Sequence, residues 1–228
     1  QSEVATGPVQ QKVIVHVAYP LWRKHTLVAI ARAKELQDDG HEVLVSYCNS
    51  RAGVCAVNYS GSPAACLVCR TRAKTTAEAA GLQTVALETS GPNEDESPLT
   101  LQDRRELAEG VQSGVTTTFR AMTADVPRKS LIGVIRKRYY KTAQALLRSM
   151  NVLVHRVSPD RIEVFNGRHA CSRFCLIAAR RYSVPFNTLE VNHRQKPIIY
   201  RGHSPHDRKQ FQARVHAQPA DHDVAAAF

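Results

Sequence analysis

The sequence predicts an α/β domain with a Rossmann-like, mostly parallel sheet flanked by helices. Two matching stretches carry that expectation. Lys12 to Tyr19 is a near-continuous apolar run, followed by a polar turn, a helix-period stretch from Thr26 to Gln37 and a second apolar run, Val43 to Tyr47. The same order returns later: Arg161 to Phe165, the turn Asn166-Gly167-Arg168, a helical stretch from Ala170 to Tyr182, and the run Val184 to Glu190. Strands apolar on both faces belong to parallel sheets covered by helices. In such sheets ligands bind where strands end, so the two polar turns are candidate sites.

Each element has its own signal. Leu27, Ile30, Ala33 and Leu36 give the first helix its period, and Asp38-Asp39-Gly40 stops it before the second strand. Asn49 to Ala65 is rich in Gly, Ser, Pro and Asn and reads as a loop. A helix is expected from Leu67 to Ala80, ended by Gly81, then a third strand at Thr84 to Leu87. Ser90 to Pro98 has the composition of a linker. Thr100 to Glu109 is a helix that Gly110 and Gly114 are expected to punctuate. From Leu131 to Val154 a long helical stripe runs through Ile135, Tyr139, Ala143, Leu146, Met150 and Leu153. Ile198 to Tyr200 is a short apolar run, Arg201 to Arg208 is polar and His-rich, and Phe211 to Val215 suits a short helix.

The 228 residues fit one domain of moderate size. The division expected is a flexible N-terminus over 1–11, one domain over 12–216, and the start of a linker or helix over 217–228 leading to a second domain. Gln1 to Gln11 lack the basic and apolar regions of a secretory signal, and no stretch approaches the ~20 apolar residues of a spanning helix. A cytoplasmic location is the expectation. The formal charge is +11, and Pro127 to Pro159 holds eight Lys and Arg with no Asp or Glu. That basic helix face is either solvated or rests on anionic lipid, at the inner face of the membrane. Nucleic acid is not the expected partner, because aromatic residues are 6% and no nucleic-acid-binding motif is present.

Several side chains carry candidate chemistry. His25 lies where the first strand hands over to its helix; it is either a general base, suited by its ordinary pKa, or a polar residue at a helix start. In the turn Asn166-Gly167-Arg168, glycine permits close backbone approach and arginine can fork onto phosphate or carboxylate; the other reading is a tight turn with a locally paired arginine. Glu190 ends the next strand, as a base, a hydroxyl ligand or an ion-pair partner. Cys48, Cys55, Cys66 and Cys69, spaced C-x6-C-x10-C-x2-C, are either a structural zinc site or free buried thiols. Cys171 and Cys175 share one helix face and suit the core. The His-rich tail, His193, His203, His206, His216 and His222 with Asp207, Asp221 and Asp223, offers His203-x2-His206-Asp207 as a metal ligand set, but its separations fit no common site and it reads as solvated loop.

One series of features goes further: a turn with Trp22 and His25, the segment Asp39-Gly-His-Glu-Val43, Cys48, the pair Cys66 and Cys69, Glu106-Leu107 with Gly110 and Gly114-Val115, then Phe165-Asn-Gly-Arg168 and Val184 to Glu190. It resembles the N-terminal half of bacterial capsule and surface-polysaccharide glycosyltransferases of two-domain, GT-B architecture. The resemblance spans roughly Val13 to Phe228 and departs from the pattern at Glu190-Val-Asn-His193. It implies transfer from a nucleotide sugar to a surface polysaccharide or lipid-linked acceptor, with most nucleotide contacts in a second domain. His25 and Glu190 would be catalytic; Trp22, Asn166, Gly167, Arg168, Asn192 and His193 would touch substrate. No metal or cofactor would be needed for the chemistry, and any zinc would be structural. The alternative is a non-catalytic α/β module that binds a nucleotide or phosphosugar.

Overall fold

The computed structural model describes residues 9–49, 53–88, 98–120, 130–192, 197–207 and 212–213. Six strands and five helices follow one another as β1 (Lys12–Val17), α1 (Arg23–Asp38), β2 (Glu42–Cys48), α2 (Pro63–Ala79), β3 (Gln83–Leu87), α3 (Leu101–Phe119), α4 (Leu131–Val157), β4 (Arg161–Phe165), α5 (Ala170–Arg181), β5 (Phe186–Val191) and β6 (Pro197–Arg201). The sheet order is β3-β2-β1-β4-β5-β6, with β6 alone antiparallel to its neighbour. The expected α/β class with a mostly parallel sheet is the one observed.

The two faces of β1 explain its unbroken apolar run. Val13, Val15 and Val17 pack with Val43, Val45 and the α1 and α2 residues Ala29, Ala33, Leu36, Ala73 and Ala77. Ile14 points to the other core, with Ile162, Val164 and the α4 and α5 residues Leu147, Met150, Phe174 and Ile177. Burying a Val, Leu or Ile side chain is worth about 1.5–3 kcal/mol, so a central strand buried on both sides holds the whole sheet. His16 shares that burial: its Nδ1 lies 3.0 Å from Ser46 Oγ and its ring meets Phe174 edge-on.

Three elements differ from expectation. Helix α3 does not stop near Glu109 but continues to Phe119 through both glycines. The glycines are contact points: a Cβ on Gly110 would lie 2.9 Å from the Ala170 backbone nitrogen, and one on Gly114 would lie 2.7 Å from the Tyr139 ring. Close helix approach, not helix breakage, is what they provide. Helix α2 starts earlier than read, at Pro63, because Ser62 caps it by accepting from the Ala65 N–H and proline suits the first turn. Ile198–Tyr200 lies within β6, an edge strand whose antiparallel pairing no periodicity announced. The proposed linker at 90–97, the tail 217–228, most of the 211–215 helix and residues 1–8 lie outside the described residues. No helix among the described residues is long and apolar enough to cross a membrane.

Under the sheet, Glu163 on β4 is wholly buried and takes three partners. Arg32 of α1 donates from Nε at 3.0 Å, Arg161 Nε lies 3.0 Å away, and Asn187 Nδ2 of β5 donates at 3.0 Å. One carboxylate thus joins α1, β4 and β5. Removing one member of a buried pair leaves the others uncompensated. Glu163→Gln is expected to lower stability by about 3 kcal/mol in urea unfolding; a variant within a few tenths of the parent would show that the network is dispensable.

Candidate functional site

Strand β1 lies between β2 and β4, and its crossover to β2 and that of β4 to β5 run over opposite faces of the sheet. A crevice opens at the carboxyl ends of β1 and β4, and both sequence-predicted turns border it. Tyr19, just past β1, is the hub. Trp22 stacks on it at 5.1 Å, and His25, His169 and Phe165 meet it edge-on at 5.8, 5.9 and 6.2 Å. His25, in the first turn of α1, closes the ring with Phe165 at 4.3 Å. Tyr19 Oη pairs with Ser172 Oγ of α5 at 2.9 Å, and burial raises its pKa well above the ordinary value. Trp22 keeps 39% of its surface open to solvent.

The second turn is built by two consecutive left-handed residues, Asn166 and Gly167, both at φ +68°. Asparagine tolerates that conformation and here stabilises it, its Oδ1 accepting from the Arg168 N–H at 3.0 Å. At Gly167 a Cβ would lie 2.9 Å from Leu176 and 3.1 Å from Thr188, so glycine is required twice over. Asn166 Nδ2 donates to Glu190 Oε2 at 2.8 Å and to His206 Nε2 at 2.9 Å. An amide nitrogen only donates, so His206 Nε2 is unprotonated. Burial and the nearby Arg168 hold the His206 pKa down, with Glu190 pulling the other way.

Arg168 is fixed from α3: its Nε donates to Ser113 Oγ at 2.6 Å and another guanidinium nitrogen donates to Thr117 Oγ1 at 2.7 Å. Neither partner is acidic. The guanidinium is therefore oriented but not neutralised, beside the amino end of α5, where the helix dipole also favours an anion. His169, the residue preceding α5, is 7% exposed; burial, then Arg168, lowers its pKa to about 4. Its Nδ1 is buried without a hydrogen-bond partner, as is Nδ1 of His25. His25 is also held below its ordinary value, by burial first, with Glu190 acting in the opposite sense.

The turn residues Trp22, His25, Asn166, Gly167 and Arg168 and the strand-end Glu190 thus come together. Asn192 is half-buried one residue past β5, and His193 lies outside the described residues. Tyr19, Ser113, Thr117, His169 and His206 belong to the same site and escaped sequence reading. Ser113 and Thr117 carried a faint signal, a hydroxyl pair about one helical turn apart on either side of Gly114 in α3. His206 is exposed, as the loop reading expected, but a strap ties its segment to the turn: Ser204 Oγ donates to the Asn166 carbonyl at 2.9 Å and Thr188 Oγ1 to the His203 carbonyl at 2.8 Å.

The four cysteines considered for zinc do not form a metal-holding group. Cys48, Cys55, Cys66 and Cys69 border one cavity of about 30 Å³ together with Cys171. No group of three or more His, Cys, Asp or Glu among the described residues is placed to hold a metal ion. None of the six cysteines forms a disulfide with another described residue. Burial pushes Cys69 up to about 12 and Cys55 well above the ordinary value. Asn58 uses Cys66 differently, donating to its sulfur at 3.2 Å while its Oδ1 accepts from the Ser62 N–H. The thiols line the loop anchor.

No protein-family pattern matches the chain, and no curated protein matches it. Solved structures similar to it include the spinosyn rhamnosyltransferase SpnG, with 16% identity and a TM-score of 0.40 over 78% of this chain and 34% of that one. The calicheamicin glycosyltransferase CalG4 matches at 13% identity and 0.40, over 96% of this chain and 42% of that one. A deacetylase of teicoplanin biosynthesis matches at 10% identity and 0.44, over 78% and 69%. The chain spans about a third of the rhamnosyltransferase and two fifths of the calicheamicin enzyme. Transferases and a deacetylase appear side by side, and at these scores the likeness carries no argument about chemistry.

The buried histidines predict a pH response. Burial keeps His16 and His169 neutral in the folded chain, with pKa values of about 3 and about 4 against an ordinary 6.5. As pH falls below 6.5 the unfolded chain takes up protons that the folded chain refuses. Stability is expected to fall between pH 6.5 and 4, with a slope near pH 5 of about 2.7 kcal/mol per pH unit for two protons. Urea unfolding across that range measures it; a flat profile would contradict the burial of these rings.

Proposed function

We propose that this chain is the acceptor-side domain of a glycosyltransferase, moving a sugar from a nucleotide-sugar donor to a capsular polysaccharide or lipid-linked acceptor. In this reading a second domain supplies most nucleotide contacts, and no metal is called on for the transfer. What carries the reading is the meeting of His25, Glu190 and Arg168 at the carboxyl ends of the strands. Burial biases His25 towards the neutral form, as a base must be, and the charge of Glu190 opposes that shift. With Nδ1 buried, Nε2 is the nitrogen that receives the proton. The acceptor hydroxyl then attacks the anomeric carbon, the bond to the nucleotide diphosphate breaks, and the hydroxyl proton passes to His25. Trp22 offers an aromatic platform for a sugar ring, and Asn166 holds Glu190 in place. Arg168, with no acidic partner among the described residues, takes a phosphate or carboxylate of the substrate.

Location follows from the acceptor. The early turns of α4 carry Arg136, Lys137 and Lys141, with Leu131 and Val134 exposed nearby. We place this face against anionic lipid on the cytoplasmic side of a membrane, where a lipid-linked acceptor would be found.

One observation favours a second reading, a non-catalytic phosphosugar-binding module. Glu190 is bonded to Asn166 and to the Val191 N–H, so among the described residues no carboxylate orients His25 through a hydrogen bond. Assay of the natural full-length protein against a panel of nucleotide sugars separates the two. If transfer occurs, His25→Ala and Glu190→Ala are each expected to lower turnover by about 100-fold, and Arg168→Ala to weaken binding about ten-fold. Saturable binding without turnover supports the module; turnover unchanged in both the His25 and Glu190 variants removes the catalytic assignment.

A further inference from the structure

A second cavity lies at the opposite end of the sheet, where the strands begin. It has a volume of about 760 Å³ and is lined by Arg161 at the start of β4, Pro185 and Phe186 at the start of β5, Ile199 and Arg201 on β6, and Arg32 of α1. The parallel strands end in the Asn166 and Glu190 site, so this cavity belongs to the other edge. Its walls differ too: flat or branched apolar side chains alternate with guanidinium groups.

The charges here are unevenly matched. Glu163 is shared between Arg32 and Arg161, and Glu35 reaches Arg32 from the solvent side. Arg161 also donates to Gln11 Oε1 at 2.7 Å. Arg180, at the end of α5, pairs with Glu106. Arg201 is exposed, and no acidic group pairs with it among the described residues. The carbonyl end of α5 borders the cavity and disfavours an anion, but Arg180 and Arg181 occupy its last turn and offset it. Beside the unpaired cation, the Phe186 ring and the Ile199 side chain form an apolar wall that polar ligands alone would leave unused.

We infer that this cavity binds a small organic phosphate, its phosphate on Arg201 and Arg161 and its flat body against Phe186 and Ile199. The inference goes beyond the proposed transferase reading and does not rest on it, because it uses none of the residues of the other crevice. The Glu163 network pre-places Arg161, so ligand binding need not order that side chain.

The probe is AMP, titrated calorimetrically into the chain beside its halves, adenosine and inorganic phosphate. AMP is expected to bind more tightly than either half and to raise the melting temperature as its concentration increases. Arg201→Glu, on an exposed edge position, is expected to weaken AMP by about ten-fold or more. Arg168→Ala, at the other end of the strands, is expected to leave AMP affinity unchanged. No AMP binding, an Arg201→Glu affinity within about two-fold of the parent, or a loss caused by Arg168→Ala instead would each overturn the inference. The Arg168 outcome would place the phosphate in the first crevice and leave the transferase reading untouched.

Discussion

The position of β1 between β2 and β4 constrains everything else in this molecule. Hydrogen bonding on both edges fixes its register, Val13 opposite both Val43 and Arg161, and burial on both faces leaves it no freedom to slip. A one-residue shift would exchange the two cores. Because the chain leaves β1 towards one face and β4 towards the other, the segments Tyr19–His25 and Asn166–His169 must diverge around a gap. The aromatic hub on Tyr19 and the anchored Arg168 are consequences of that divergence.

Electrostatics divides the sheet into two unlike ends. At the carboxyl end burial lowers the pKa of His25 and His169, and the positive charge of Arg168 is oriented by hydroxyls. At the amino end a buried carboxylate is saturated by guanidinium and amide donors. The first arrangement leaves bonding capacity open to an incoming group; the second engages Glu163 to tie α1 to β4 and β5, and among the described residues leaves Arg201 beside it without an acidic partner. Hydroxyl partners orient a cation without cancelling it, and a carboxylate does both.

Much of the fold was legible because burial writes itself into apolar periodicity. The β1, β4 and α4 patterns were unambiguous, and the pairing of two strand-turn-helix units placed both turns at one sheet edge. Gly110 and Gly114 misled because glycine as a helix breaker and glycine as a packing contact look alike in sequence; only the facing Ala170 and Tyr139 distinguish them. Strand β6 was obscure because an edge strand needs few apolar residues. In the site, His25, Asn166, Arg168 and Glu190 were visible from their place at strand ends. The place of His206 was invisible because the two strap bonds that carry its segment back across β5, from Ser204 and Thr188, have no sequence signature. Tyr19 was read as the end of a strand, since a buried hub and a buried strand residue share one apolar signal.

The bare backbone of Gly110 against Ala170 has a consequence that reaches the crevice. It lets α3 approach the Ala170 backbone at the start of α5 closer than any side chain would allow, and Ser113, less than one turn further along α3, holds the Arg168 guanidinium. The depth at which that cation sits is therefore gauged by a helix contact remote from any ligand. A methyl group at position 110 would act as a shim, lifting the hydroxyl clamp away from the turn it serves, so binding specificity in this fold can drift through its scaffolding while every ligand-facing residue stays the same.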